Sequence, residues 1–221
     1  MIMPAIPLKP HITFLLLVLG AIGLSQVPVL HWPFSWLETY FHEISHGIAA
    51  ILSGGSIRNI ELNFDGSGVC YTIGGRGALI AFSGYLGAAL WGALIYLGAR
   101  MTGAVSHWMA LLMAVLIGIS GLLWARDATS WIILIVICSI LSVAFYFTLG
   151  RIFPVLIEFS GIYVMVSAIR APTFLLGSTT KNDAAQLAQL THVPTIVWIS
   201  AWCVISLAVL FLVWRNQARL R

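Results

Sequence analysis

Seven predominantly apolar stretches of close to twenty residues divide the chain, and short runs of Gly, Pro and charge separate them. They run from Ile12 to Leu30, Phe34 to Leu52, Gly77 to Gly98, Val105 to Trp124, Trp131 to Leu149, Ile152 to Ile169 and Thr195 to Trp214. About twenty apolar residues in helical form cross a hydrocarbon core roughly 30 Å thick. The pattern therefore predicts an all-α polytopic membrane protein with about six to seven transmembrane helices. Two stretches make the count a range. Phe34 to Leu52 carries Glu38, His42, Glu43 and His46, and Ile152 to Ile169 begins with a Pro154 turn and contains Glu158. Either suits a re-entrant segment, because polar groups at membrane depth are tolerated where protein or water surrounds them.

Two connections break the helical pattern. After the second stretch, Ile57 to Phe64 alternates apolar and polar residues, Asp65-Gly66-Ser67-Gly68 supplies turn chemistry, and Val69 to Ile73 alternates again. This predicts one short β-hairpin over residues 56–74, between the second and third helices. Residues 171–194 are polar at first and then place Ala184, Leu187, Ala188 and Leu190 at helical spacing, with Asn182 or Asp183 as N-cap. A short helix feeding the last span follows. Within the third span, Ser83 and Gly87, Gly84 and Ala88, and Ala88 and Gly92 lie four apart. Such spacing lets helix backbones approach closely in lipid, which accounts for Gly84 and Gly87 before any catalytic role. Residues 1–221 read as a single integral membrane domain.

Composition agrees with the pattern: 60% of the 221 residues are hydrophobic and only 8% charged, against roughly 25% charged in an ordinary soluble domain. The net charge of +4 comes from eleven Lys and Arg scattered between the apolar runs. They form no basic face, which excludes nucleic acid as a partner and leaves the lipid bilayer as the chain's surroundings. Counted over seven spans, one side collects Lys9, Arg58, Arg76, Arg126, Arg170 and Lys181 and the other Arg100, Arg151, Arg215, Arg219 and Arg221. So even a division sets no orientation. The first run is longer than a signal-peptide core and lacks a small-residue cleavage site, so it reads as a retained span. The expected location is a multi-pass position in the plasma membrane of a prokaryote. Cys70, Cys138 and Cys203 lack metal-ligand spacing and read as packing residues.

The candidate chemistry lies in His42-Glu43-Ile44-Ser45-His46. Two imidazoles at i and i+4 project from one helix face and can hold one zinc ion, with the intervening Glu placed as general base toward water. Three ionisable groups in five membrane-embedded residues would otherwise need three separate partners, and one metal accounts for all of them. A catalytic zinc site takes a third protein ligand and keeps an open position. The residues leave that ligand open among the carboxylates: Asp183 opens the short helix, Glu158 lies within a span, and Asp127 follows Arg126 in a tight loop.

Four stretches, HEISHGIAAILSGGSIRNIEL, DGSGVCYTIGG, FSGYLGAALWGALI and NDAAQLAQLTHVPTIVWISAW, resemble in sequence and order the peptidase M50B-like family of site-2-protease-type intramembrane zinc metalloproteases. The resemblance touches about a third of the chain. It implies that His42 and His46 bind Zn2+, that Glu43 activates water, and that Asp183 completes the metal site. The chain departs from the wider group at Ala184, where a Gly usually follows the ligand Asp, and at Ala88, where an Asn usually offers a donor to the substrate carbonyl. The expected activity is hydrolysis of peptide bonds in or near transmembrane segments, with a membrane protein or peptide as the partner and the oligomeric state left open. The alternatives are a non-proteolytic metal-binding membrane protein, such as a pseudoprotease or chaperone, and a small transporter. Concentration of the polar residues on one helix disfavours transport.

Overall fold

A computed structural model of the protein describes residues 10–101, 103–146, 152–177 and 182–217. Eight α-helices and one β-hairpin account for most of them: α1 (Pro10–Leu24), α2 (Trp32–Leu52), β1 (Ser56–Leu62), β2 (Gly68–Ile73), α3 (Gly77–Arg100), α4 (Gly103–Trp124), α5 (Ala128–Tyr146), α6 (Ile152–Arg170), α7 (Asp183–Thr191) and α8 (Thr195–Asn216). A 3-10 turn, Ala171–Leu175, extends α6. Three segments, Gly77–Arg100, Pro154–Leu175 and Thr195–Asn216, are long and apolar enough to cross a membrane, and Pro10–Leu24, Trp108–Trp124 and Ala128–Val143 are shorter apolar helices.

The apolar stretches of the sequence recur as helices with shifted ends. The first stops at Leu24, not Leu30, because Pro28 has no N–H to donate and disfavours helical backbone at Val27; turns closed by Gln26 N–H to Gly23 O and Val27 N–H to Leu24 O replace it. The end of the fifth expected span, residues 147–149, lies outside the described residues. Asn182 caps α7, its side chain accepting from the Ala185 N–H, and His192 ends the helix in the left-handed region at φ 59°.

α3 is the axis of the bundle, packing against α2, α4, α6, α7 and α8. The small-residue stripe makes this possible: a Cβ on Gly92 would lie 2.7 Å from the Gly161 carbonyl oxygen of α6, and Ser83 donates to the Ser45 carbonyl of α2 at 3.1 Å. α2 is enclosed on almost every side, with Trp36, Leu37, Tyr40, Phe41 and Ile44 in the main apolar core. Its polar residues are thus kept from lipid by protein, the condition under which a helix carries ionisable groups at membrane depth.

The hairpin is antiparallel, with Ile60 opposite Cys70 and Leu62 opposite Gly68. Its turn is held by Asp65, whose Oδ1 accepts from the Ser67 N–H at 2.9 Å and hydroxyl at 2.7 Å, bonds that hold the Asp65 carboxyl below its usual range. Two side chains of α2 clamp the tip: Trp36 Nε1 donates to the Phe64 carbonyl at 3.2 Å and Thr39 Oγ1 to the Gly66 carbonyl at 2.6 Å. The two edges of the sheet differ. β1 is covered by the α4–α5 connection, through a bridge from Ile60 to Ala125 and a bond from the Leu62 N–H to Ser130 Oγ at 2.8 Å. β2 has no strand beyond it among the described residues.

Candidate metal centre

One turn of α2 carries His42 and His46 on the same face, and the first residue of α7 meets them. His42 Nε2 lies 3.1 Å and His46 Nε2 3.3 Å from Asp183 Oδ2, and the two Nε2 atoms are 3.0 Å apart. Among the described residues, His42, His46 and Asp183 are the group whose ligand atoms all fall within 4.8 Å of one another. Residues 141 positions apart in sequence thus converge. Asp183 reaches this depth because α7 is seated on α3 and α8, with Ala184 and Leu187 buried against Ala81, Tyr85, Ile199 and Trp202.

The donor set fits a cation. His46 Nδ1–H donates to the Ile80 carbonyl at 2.6 Å, and a carbonyl only accepts, so the neutral ring turns the lone pair of Nε2 toward Asp183. A lone pair 3.3 Å from a carboxylate oxygen, with a second imidazole nitrogen beside both, sets acceptor against acceptor unless a proton or a metal lies between. Two imidazole nitrogens and one carboxylate oxygen are the ligand types of a catalytic zinc site, and the Ile80 carbonyl is the kind of outer partner that orients a ligating ring. His42 Nδ1 is buried without a hydrogen-bond partner, while the Tyr85 ring stacks edge-on against that imidazole at 4.4 Å.

The stripe on α3 gains a second meaning here. A Cβ on Gly84 would sit 2.5 Å from His42 Cε1 and 2.6 Å from His46 Cε1, so only glycine leaves room for both rings. Gly87 makes the same allowance for Ser45. Both glycines do serve close packing, and at Gly84 what is packed is the pair of imidazoles. Ala88 is fully buried in the core and does not reach the site.

A cavity of about 760 Å³ opens beside these groups, lined by Glu38, Thr39, His42, Glu43 and His46 of α2, by Gly66 to Cys70 of the hairpin, and by Asn182, Asp183, Gln186 and Gln189 at α7. Glu43 faces the hairpin: a Cβ on Gly68 would lie 2.9 Å from its Cγ, and the Cys70 backbone amide hydrogen-bonds its carboxylate. Burial, with the Glu43 charge beside it, pushes the Cys70 thiol up to about 12, which keeps it protonated and unlike a thiolate ligand.

The other carboxylates lie elsewhere. Glu158 is in an ion pair with Arg100 at 3.3 Å, between α6 and the far end of α3. Asp127 caps α5 through the Ser130 N–H at 2.8 Å. Two features of the site had little sequence signal. Glu38 precedes His42 by one turn and stands in the cavity, and Gln186 and Gln189 line it from α7; in the sequence they are polar residues of a short helix.

Comparison with curated proteins and with solved structures finds no match. The family model described as peptidase M50B-like matches residues 14–213. That match runs from α1 to α8 and takes in the HExxH helix, the hairpin and α7, and the chain belongs to the peptidase M50B-like family.

Proposed function

We propose that the protein is an intramembrane zinc metalloprotease of the site-2-protease type, cleaving peptide bonds in or near transmembrane segments of other membrane proteins in the plasma membrane of a prokaryote. The observation that carries this reading is the convergence of His42, His46 and Asp183 at a cavity that Glu43 also lines. His42, His46 and Asp183 would hold the zinc, which when bound lowers the pKa of a water to about 7 and polarises a carbonyl. Glu43 takes the proton from the attacking water and returns it to the leaving amine. The Cys70 amide holds the Glu43 carboxylate in place for both transfers.

A transmembrane helix hides its peptide bonds in its own hydrogen bonds, so the substrate must be unwound before attack. The open edge of β2 begins at Gly68 beside Glu43 and supplies the partner for an extended chain. Polar lining residues and an open rim, where Ser67, Gln186 and Gln189 are exposed, let water share the cavity with that chain.

The test uses purified full-length protein and a transmembrane peptide in detergent. The wild type is expected to carry about one zinc per chain and to cleave. Glu43→Gln should keep the zinc and lose cleavage by about 10²–10⁴-fold, and His46→Ala should lose the zinc. Cleavage that persists in Glu43→Gln, with contaminating protease excluded, removes Glu43 as the base.

A further inference from the structure

A chain added to β2 satisfies only one of its two edges. In a strand, successive N–H and C=O groups point alternately to either side, so half of the substrate's backbone groups face away from β2. The cavity admits water, so those groups add to binding only where the protein pairs them. The structure shows what stands on the remaining side. α7 begins at Asp183 beside His42 and His46 and ends with Leu190 against Gly77, where a Cβ would lie 3.1 Å from Leu190 Cδ1. β2 begins at Gly68 beside Glu43 and ends at Ile73. The two elements therefore start beside the same cluster, and the cavity is lined by both, as far as Thr72 on β2 and Gln189 on α7.

Along α7, Asn182, Gln186 and Gln189 follow the i, i+4, i+7 spacing of one helix face, and all three line the cavity. The opposite face, Ala184 and Leu187, is buried. Asn182 is committed to the helix cap. Gln186 and Gln189 are exposed, and their amides make no hydrogen bond to a described residue. An amide donates through nitrogen and accepts through oxygen, which matches the alternating groups of a peptide edge whatever its side chains.

On the protease reading above, we infer that Gln186 and Gln189 are substrate-positioning residues that hold the outer edge of an extended peptide, so that the chain lies clamped between β2 and α7. Recognition then falls on the backbone and tolerates many sequences. It also supplies polar contact from a wall other than α3, where Ala88 is buried away from the cavity.

Binding is measured in the full-length Glu43→Gln variant, with a fluorescein-labelled octapeptide of alternating valine and threonine. Adding Gln186→Leu and Gln189→Leu together should weaken binding about 10- to 100-fold, as two hydrogen bonds warrant, with zinc content and melting temperature unchanged. Two depsipeptide versions, with esters replacing amides at odd or at even positions, separate the two edges. One should lose about tenfold in the parent and nothing further in the Leu variant; the other should lose the same in both. Unchanged affinity in the double variant, equal loss for both esters in both proteins, or no binding at all overturns the clamp. Cleavage by protein with Glu43 intact is read on the same peptide. Glutamine-dependent binding without cleavage leaves the clamp standing and removes the protease reading, whereas cleavage with unchanged binding removes the clamp alone.

Discussion

Gly84 shows how a packing residue becomes part of a site. Any larger side chain there enters the space of both imidazoles, so Gly84→Ala should displace the rings and lower zinc affinity at least tenfold, with a stability loss of about 1–3 kcal/mol from overpacking. Equilibrium dialysis and thermal denaturation check both numbers. The pair of imidazoles was legible in the sequence because i, i+4 spacing fixes a common face. Gly84 was legible only as a member of a small-residue stripe, since nothing local says which side chains the stripe receives. Asp183 and Glu158 had comparable local claims; contact across 141 positions separates them. Zinc should be lost in Asp183→Ala and kept in Glu158→Ala, where the variant instead leaves Arg100 without its carboxylate and unfolds at lower temperature. Metal analysis of both purified variants gives the answer, and full zinc in Asp183→Ala would exclude that residue as ligand.

The elements themselves follow from the sequence pattern, because long apolar runs, and alternation around a turn in the hairpin, leave few other solutions. Where each element ends, and which edge it exposes, depends on distant partners. β1 owes its covered edge to Ala125 and Ser130, neither of which signals a strand neighbour. Ser130 is fully buried and ties the hairpin to the N-terminus of α5, accepting from the Leu62 N–H while its own hydroxyl donates to Asp127 Oδ1 at 2.5 Å. Ser130→Ala removes the acceptor and strands a buried N–H, at a cost of about 1–3 kcal/mol. A lower melting temperature is expected, with zinc content unaltered because no ligand lies on the hairpin. A site-2-type cleavage assay should also slow, as a loosened β1 no longer holds β2 beside Glu43.

For the whole molecule, the functional elements gather from both ends of the chain around one cavity. Four helices, α3 to α6, separate the hairpin from α7. If each crosses once, an even number returns the chain to its starting side. Cysteines placed at Ser67 and Gln189 in a background lacking Cys70, Cys138 and Cys203 should therefore react with an impermeant thiol reagent from the same face of sealed vesicles. Reaction from opposite faces would mean that one of the four is re-entrant. Apolar length alone set the expectation of six to seven spans, and α2 shows why length is not enough: its ionisable residues are sheltered by neighbours that sequence periodicity cannot name.

The span of 141 residues between His42 and Asp183 also has a meaning in time. A ribosome adds about 5–20 residues per second, so about 7–28 s separate the making of His42 from that of Asp183. Throughout that interval the growing chain has Glu43 but neither Asp183 nor the α7 wall of its cavity. The cluster cannot close until α7 has been made and seated against α3 and α8.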